Sequence, residues 1–164
     1  MTLAADVVGL LIERRLTIAV AESLTGGLLV AELVSVPGAS AVVRGGVVAY
    51  ATPVKHTLLG VDAALLAERG AVDPEVARQM AVGARKRLAM DGVPAAIGLA
   101  TTGVAGPDPQ DGHPVGEVWL GLAVGDEVRA KGLELGGDRA AIRAATVSES
   151  LSWLQETLRN GAPE

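Results

Sequence analysis

The sequence predicts an α/β fold with a mixed sheet, and three observations carry that expectation. Short, almost wholly apolar runs such as 17–21 break into polar, glycine-containing turns and then resume at helical spacing, as buried strands joined to helices do. The chain is 49% hydrophobic yet has no Phe and only 2% aromatic residues, so Ala, Val and Leu must fill the core. Its 21 glycines point to elements that approach one another closely. At 164 residues one domain spanning 1–164 is expected, with roughly two-thirds of the unfolded surface buried.

Apolar residues at helical spacing (Leu3, Val7, Leu10, Leu11) predict a helix over Leu3 to Arg14. Thr17 to Ala21 reads as a buried strand, ending in Glu22-Ser23-Leu24-Thr25-Gly26-Gly27 before a helix from Leu28 to Val36, which Pro37-Gly38 closes. A second strand runs through Val42-Val43 and Val47 to Tyr50, with Gly45-Gly46 marking a bulge. Short helices follow from Thr52 and from Asp62 to Arg69, the latter stopped by Gly70. Asp73-Pro74-Glu75 is a cap with proline at the first helical position, opening a helix to about Met90. Ala95 to Ala100 is a third strand, and Asp108 to Pro114 a loop. Gly125-Asp126 joins two hairpin strands, and Gly136-Gly137-Asp138 opens a final helix to about Arg159.

Composition narrows the function classes. A net charge of −5 argues against a salt-dependent nucleic-acid partner. Without cysteine there is no disulfide, thiolate metal site or Cys nucleophile. No apolar run reaches the ~18 residues of a membrane span, so no membrane partner is expected. Met1 to Asp6 lacks the basic start and long apolar stretch of a signal peptide, so a cytoplasmic location is expected.

Open α/β sheets deliver functional residues at the carboxyl ends of strands, where Ser23 and Thr25 stand. Gly26 and Gly27 let a ligand approach the backbone, and free amides there can hold an anion or an oxyanion. From this segment alone, an N-cap is the simpler role for Ser23 or Thr25. A serine nucleophile needs a base, and both histidines, His56 and His113, lie in surface segments. A lysine of lowered pKa can substitute. Lys86 sits in a basic run that reads as a solvated helix face, and Lys131 on a hairpin. Lys55 follows an apolar strand and the lone Tyr50, and precedes Leu58 to Val61. Those neighbours can desolvate an amine; by itself, though, the segment reads more simply as a surface lysine snorkelling over apolar residues. Arg139 and Arg143, at i and i+4, share a helix face and can grip a phosphate or carboxylate, or pair with Asp138 or Glu134.

Together these segments resemble the CinA C-terminal domain family. The resemblance rests on Ala21 to Gly27, Val36 to Ser40, Gly45 to Tyr50 with Lys55, Leu59-Gly60-Val61, Gly70 to Val72, Thr102 to Pro107, Pro114 to Gly116, and Gly137 to Arg139 with Arg143. These motifs occur in one order from about Leu3 to Leu158. Stand-alone members are nicotinamide-nucleotide amidases, so the resemblance implies hydrolysis of the carboxamide of nicotinamide mononucleotide to nicotinate mononucleotide and ammonia. It further implies a three-layer α/β/α fold around a mixed, mostly parallel sheet, assembly into homo-oligomers, a small nucleotide substrate, and no cofactor or metal.

Carried over by motif, the nucleophile falls on Ser23, the base on Lys55 and an assisting role on Tyr50. The same transfer puts the oxyanion on amides of Thr25, Gly26 and Gly27. Thr102, Gly103, Ala105 and Gly106 line the nucleotide site, with Arg139, joined by Arg143, on the 5′-phosphate. The chain departs from the family pattern at Leu24, where Cys is usual, and at Asp73, where Ser is common. Asp108-Pro109-Gln110 replaces a usual Gly-Gly pair, which bears on substrate preference. Longer relatives carry an N-terminal domain resembling molybdopterin-binding proteins, and its pyrophosphatase activity is not expected here. Two alternatives stand beside the amidase: a non-catalytic nucleotide-binding regulatory module, and a Ser-Lys amidase acting on another small amide.

Overall fold

Alternate residues along the central strands carry side chains of two sizes, and that alternation decides which helices lie on which face. In a computed structural model that describes residues 1–161, five strands form one sheet in the order β2-β1-β3-β4-β5. These are β1 (Ile18–Glu22), β2 (Val43–Val48), β3 (Ile97–Gly103), β4 (Glu117–Val124) and β5 (Glu127–Glu134). Six helices flank them: α1 (Leu3–Arg14), α2 (Leu28–Val34), α3 (Thr52–Leu59), α4 (Ala63–Arg69), α5 (Pro74–Arg87) and α6 (Arg139–Arg159).

On one face Ile18, Val20, Ile97, Leu99 and Leu122 pack with Val7, Leu11, Leu29, Leu33 and Leu154, burying α1, α2 and α6. On the other, Ala19, Ala21, Ala100 and Ala123 meet Val76, Met80, Ala81 and Ala84 of α5. Gly98 and Gly121 extend this small-residue face: a Cβ on either would collide with the carbonyl of Ala81 or Ala77. The α5 backbone therefore rests almost on the sheet, which explains the glycine- and alanine-rich composition.

The sheet is mixed, as expected. Its β1–β2 and β1–β3 pairings are parallel and its β3–β4 and β4–β5 pairings antiparallel, so β4 alone runs against the other four described strands of a mixed, mostly parallel sheet. The reason is that the β4–β5 hairpin joins the sheet directly on β3. The irregularity of β2 lies where Ile18/Ala19 meet Val43/Gly45, one step before the glycine pair. Helix α5 stops at Arg87 because Met90 and Val93 exchange hydrogen bonds (3.0 and 2.9 Å) around a tight Asp91-Gly92 turn. Asp111-Gly112 makes the same turn between Gln110 and His113, inside the segment expected to be wholly loop. Strand β3 begins at Ile97 and continues to Gly103 because β4 supplies partners along its length.

The packing predicts opposite signs for two glycine-to-alanine changes. Gly121→Ala should lower stability by about 1–3 kcal/mol, since the methyl group must displace α5. Gly9→Ala, on an exposed helical position with nothing within 4 Å of the new Cβ, should raise it by roughly 0.8–1 kcal/mol. Thermal unfolding of both variants checks the pair.

Candidate active site

The two-residue period of β1 sends neighbouring side chains at its carboxyl end to opposite sides of the sheet. Glu22 points to the α2 side, fully buried, and its Oε1 and Oε2 accept the Leu29 and Val30 amides at 2.8 and 3.1 Å. It therefore caps α2, whose N-cap residue, Gly27 (φ 103°), has no side chain to do so. Neither Ser23 nor Thr25 is the cap, contrary to the simpler expectation. The Thr25 hydroxyl lies 2.8 Å from that of Thr101, and the Ser23 amide donates to the Thr101 carbonyl at 3.0 Å. Ser23 is thus pinned to β3 by its main chain while its side chain faces the small-residue side, where α3 lies.

Lys55 comes from α3 to meet it. The side chain is 0% exposed, so it is a buried lysine and not a snorkelling one. Its Nζ sits 2.9 Å from Ser23 Oγ and donates to the carbonyls of Ala49 (2.8 Å) and Tyr50 (3.2 Å). Among the described residues no carboxylate lies within 4.0 Å of it. Burial without a counter-charge lowers its pKa from 10.5 to about 8. A neutral amine has two N–H groups and one lone pair. With two carbonyls taking the N–H groups, the lone pair is left for Ser23 Oγ–H.

Around this pair opens a cavity of about 340 Å³, within the ~300–1,000 Å³ typical of small-molecule sites. Ser23, Lys55, Tyr50, Thr102, Gly103, Ala105, Gly106 and Arg139 all line it. At the rim Arg139 donates to the Gly106 carbonyl (2.6 Å) and the Tyr50 hydroxyl (3.1 Å), joining two sides of the opening. Tyr50 is 61% exposed. The Thr102 hydroxyl donates to the Ala71 carbonyl at 2.7 Å.

Arg143, Thr25, Gly26 and Gly27 lie behind Ser23 and outside the lining. Arg143 donates to the carbonyls of Leu24 (2.8 Å) and Thr25 (3.2 Å), bracing the turn. The Gly26 amide donates to the Ser23 carbonyl, whereas those of Leu24 and Thr25 have no acceptor among the described residues.

The histidines stay apart from Ser23, as their sequence setting implied. His56 Nδ1 is 2.7 Å from the Val61 carbonyl. His113 is half-buried against Glu117 Oε2 at 2.9 Å and is not simply solvated. Lys86 is exposed and Lys131 pairs with Glu149 at 3.6 Å, but Arg85 of the same basic run is partly buried and holds the Ala95 and Gly125 carbonyls. Among the described residues no group of three side chains is placed to hold a metal, and no helix is long and apolar enough to cross a membrane. Sequence reasoning missed Glu22 and Thr101, whereas Asp108 and Gln110, of the stretch expected to bear on substrate preference, line the cavity. Glu22 did leave a signal: a carboxylate ending an apolar strand just before a helix that opens on glycine.

Residues 1–158 match the CinA C-terminal domain. The chain belongs to that family. A CinA-like protein of Frankia casuarinae is 50% identical over 157 residues, 96% of this chain and 35% of that protein. Another, from Geobacter sulfurreducens, is 45% identical over 158 residues. The chain spans about a third of the length of these curated relatives. The crystal structure of a CinA superfamily protein from Klebsiella pneumoniae superposes with a TM-score of 0.91 at 31% identity, covering 97% of both chains. That of a competence/damage inducible protein from Agrobacterium tumefaciens gives 0.87 at 36%, covering 96% of this chain and 93% of that one.

The Glu22 cap gives a graded prediction. Glu22→Ala strips two amides of their acceptor and should cost about 2–4 kcal/mol, whereas Glu22→Gln retains one acceptor oxygen and should cost about half as much. Denaturant unfolding of the two variants measures the difference.

Proposed function

We propose that this CinA-family chain hydrolyses the carboxamide of nicotinamide mononucleotide to nicotinate mononucleotide and ammonia. The observation that carries the reading is the buried 2.9 Å contact between Lys55 Nζ and Ser23 Oγ, at the floor of a cavity with Arg139 on its rim. Neutral Lys55 takes the Ser23 hydroxyl proton as Oγ attacks the carboxamide carbon. The negative charge that develops on the carbonyl oxygen needs donors beside the nucleophile. Of the turn amides, that of Leu24, which lines the cavity, has no acceptor of its own among the described residues, while the Gly26 amide is held by the Ser23 carbonyl. One such donor is typically worth about 3–4 kcal/mol to the transition state.

The lysinium then passes its proton to the departing nitrogen, so ammonia leaves and the acyl group remains on Ser23. Neutral again, Lys55 takes a proton from water as its oxygen attacks the acyl carbon, then passes that proton to the departing Ser23 Oγ, which frees the carboxylate product and restores the neutral amine. Tyr50 assists through its carbonyl, which helps aim Nζ, and through its hydroxyl, which steadies Arg139. Arg139 offers the cavity a guanidinium for the 5′-phosphate, and Arg143 braces the turn that presents the amides. Binding at the remote phosphate orients the amide for attack.

Ammonia release from the mononucleotide should be abolished in Ser23→Ala. Saturable binding with no release above that control would replace the amidase with a nucleotide-binding module. A base must be deprotonated to act, so kcat/KM should climb with pH, level off above about 8, and fall roughly tenfold per pH unit below it. Lys55→Arg keeps the charge but cannot supply a neutral base, and should be inactive across that range. Arg139→Ala should raise KM for the mononucleotide about ten- to hundredfold and leave KM for the riboside, which lacks the phosphate, unchanged.

A further inference from the structure

We propose that Asp108 makes the cavity selective for a ligand whose ring carries a positive charge, a pyridinium in preference to a neutral ring of the same shape. This rests on the amidase reading and sharpens its substrate class. Among the described residues three charged side chains line the cavity: buried Lys55 at the floor, and the exposed Asp108 and Arg139 toward the mouth. Arg139 is turned to the Gly106 carbonyl and the Tyr50 hydroxyl, not to Asp108. No cation among the described residues lies within 4.0 Å of the Asp108 carboxylate. A site built only for an anion gains nothing from an uncompensated carboxylate beside the arginine, because that carboxylate repels the phosphate. A ligand carrying both a phosphate and a cationic ring uses both charges.

The connectivity of such a ligand agrees with this placement. If a 3-carboxamide is presented to Ser23 on the floor, the ring nitrogen, meta to it and bonded to the ribose, lies on the side nearer the mouth. There it meets Asp108 and the exposed ring of Tyr50, whose face attracts a cation. Asp108 is exposed, so solvent screens its pull, and the expected discrimination is about three- to tenfold.

The test is calorimetric binding to the Ser23→Ala protein, which does not turn the ligand over. Nicotinamide mononucleotide is compared with benzamide riboside 5′-monophosphate, an uncharged isostere with the same phosphate and carboxamide. The cationic ligand should bind about three- to tenfold more tightly, and Asp108→Asn in the same background should close most of that gap. Equal affinities before the change, or a gap that survives it, overturn the inference. Ammonia release by the wild-type chain is assayed in parallel. Release without a charge-dependent gap removes the role of Asp108 and leaves the amidase reading standing. A gap without release removes the amidase reading and keeps the selectivity, and neither binding nor release removes both.

Discussion

A lysine amine buried against two carbonyls and a serine hydroxyl, with no carboxylate in reach among the described residues, is the interaction on which the rest of the site depends. Had an acidic side chain stood beside Lys55, the pair would have stayed ionised and the amine would have no lone pair to offer. Had the lysine been solvated, its pKa would sit near 10.5. Burial alone moves it toward neutrality, so the helix bearing Lys55 must be held firmly inward. Gly83 of α5 does this: a Cβ there would collide with the Leu59 carbonyl at the end of α3. The close α3–α5 approach and the burial of Lys55 are one constraint.

The sheet divides the remaining work between its faces. Leucine, isoleucine and valine on the α1/α2/α6 side supply most of the apolar burial that stabilises the fold. Alanine and glycine on the α3/α5 side give up part of that gain in exchange for proximity. Glu22 and Ser23 stand at the junction, one residue apart and on opposite faces. The carboxylate satisfies the start of α2, and the hydroxyl is therefore spared from capping it. A serine committed to a helix amide would have been a poorer partner for Lys55.

Much of this was legible in the chain because it depends on local pattern. The spacing of Leu3, Val7, Leu10 and Leu11 placed α1, Asp73-Pro74 opened α5, and Gly125-Asp126 joined β4 to β5. Errors gathered where local signals were weak or read too broadly. The Asp91-Gly92 and Asp111-Gly112 turns cut short a helix that apolar spacing extends to Met90 and give a tight turn to a stretch whose composition predicts only loop. The far end of β3, Thr101 to Gly103, has no strand signal of its own because its partners, Leu120, Trp119 and Val118, lie on β4 beyond the intervening loop. The role of Glu22 was invisible because a carboxylate ending an apolar strand shows its purpose only once α2 is docked over it.

The sequence by itself determined the elements, the mixed α/β class and, through motifs in a single order, the family, since each is written in residue type and spacing along the chain. It did not decide between a snorkelling Lys55 and a buried one, or whether the Ser23 hydroxyl caps α2 or is left free to meet Lys55. Those choices hang on contacts between residues 32 positions apart, made by an inward-facing helix and the end of a strand. Only the tertiary structure settles them, because solvent exclusion and lone-pair direction are properties of the packed molecule and not of any segment of it.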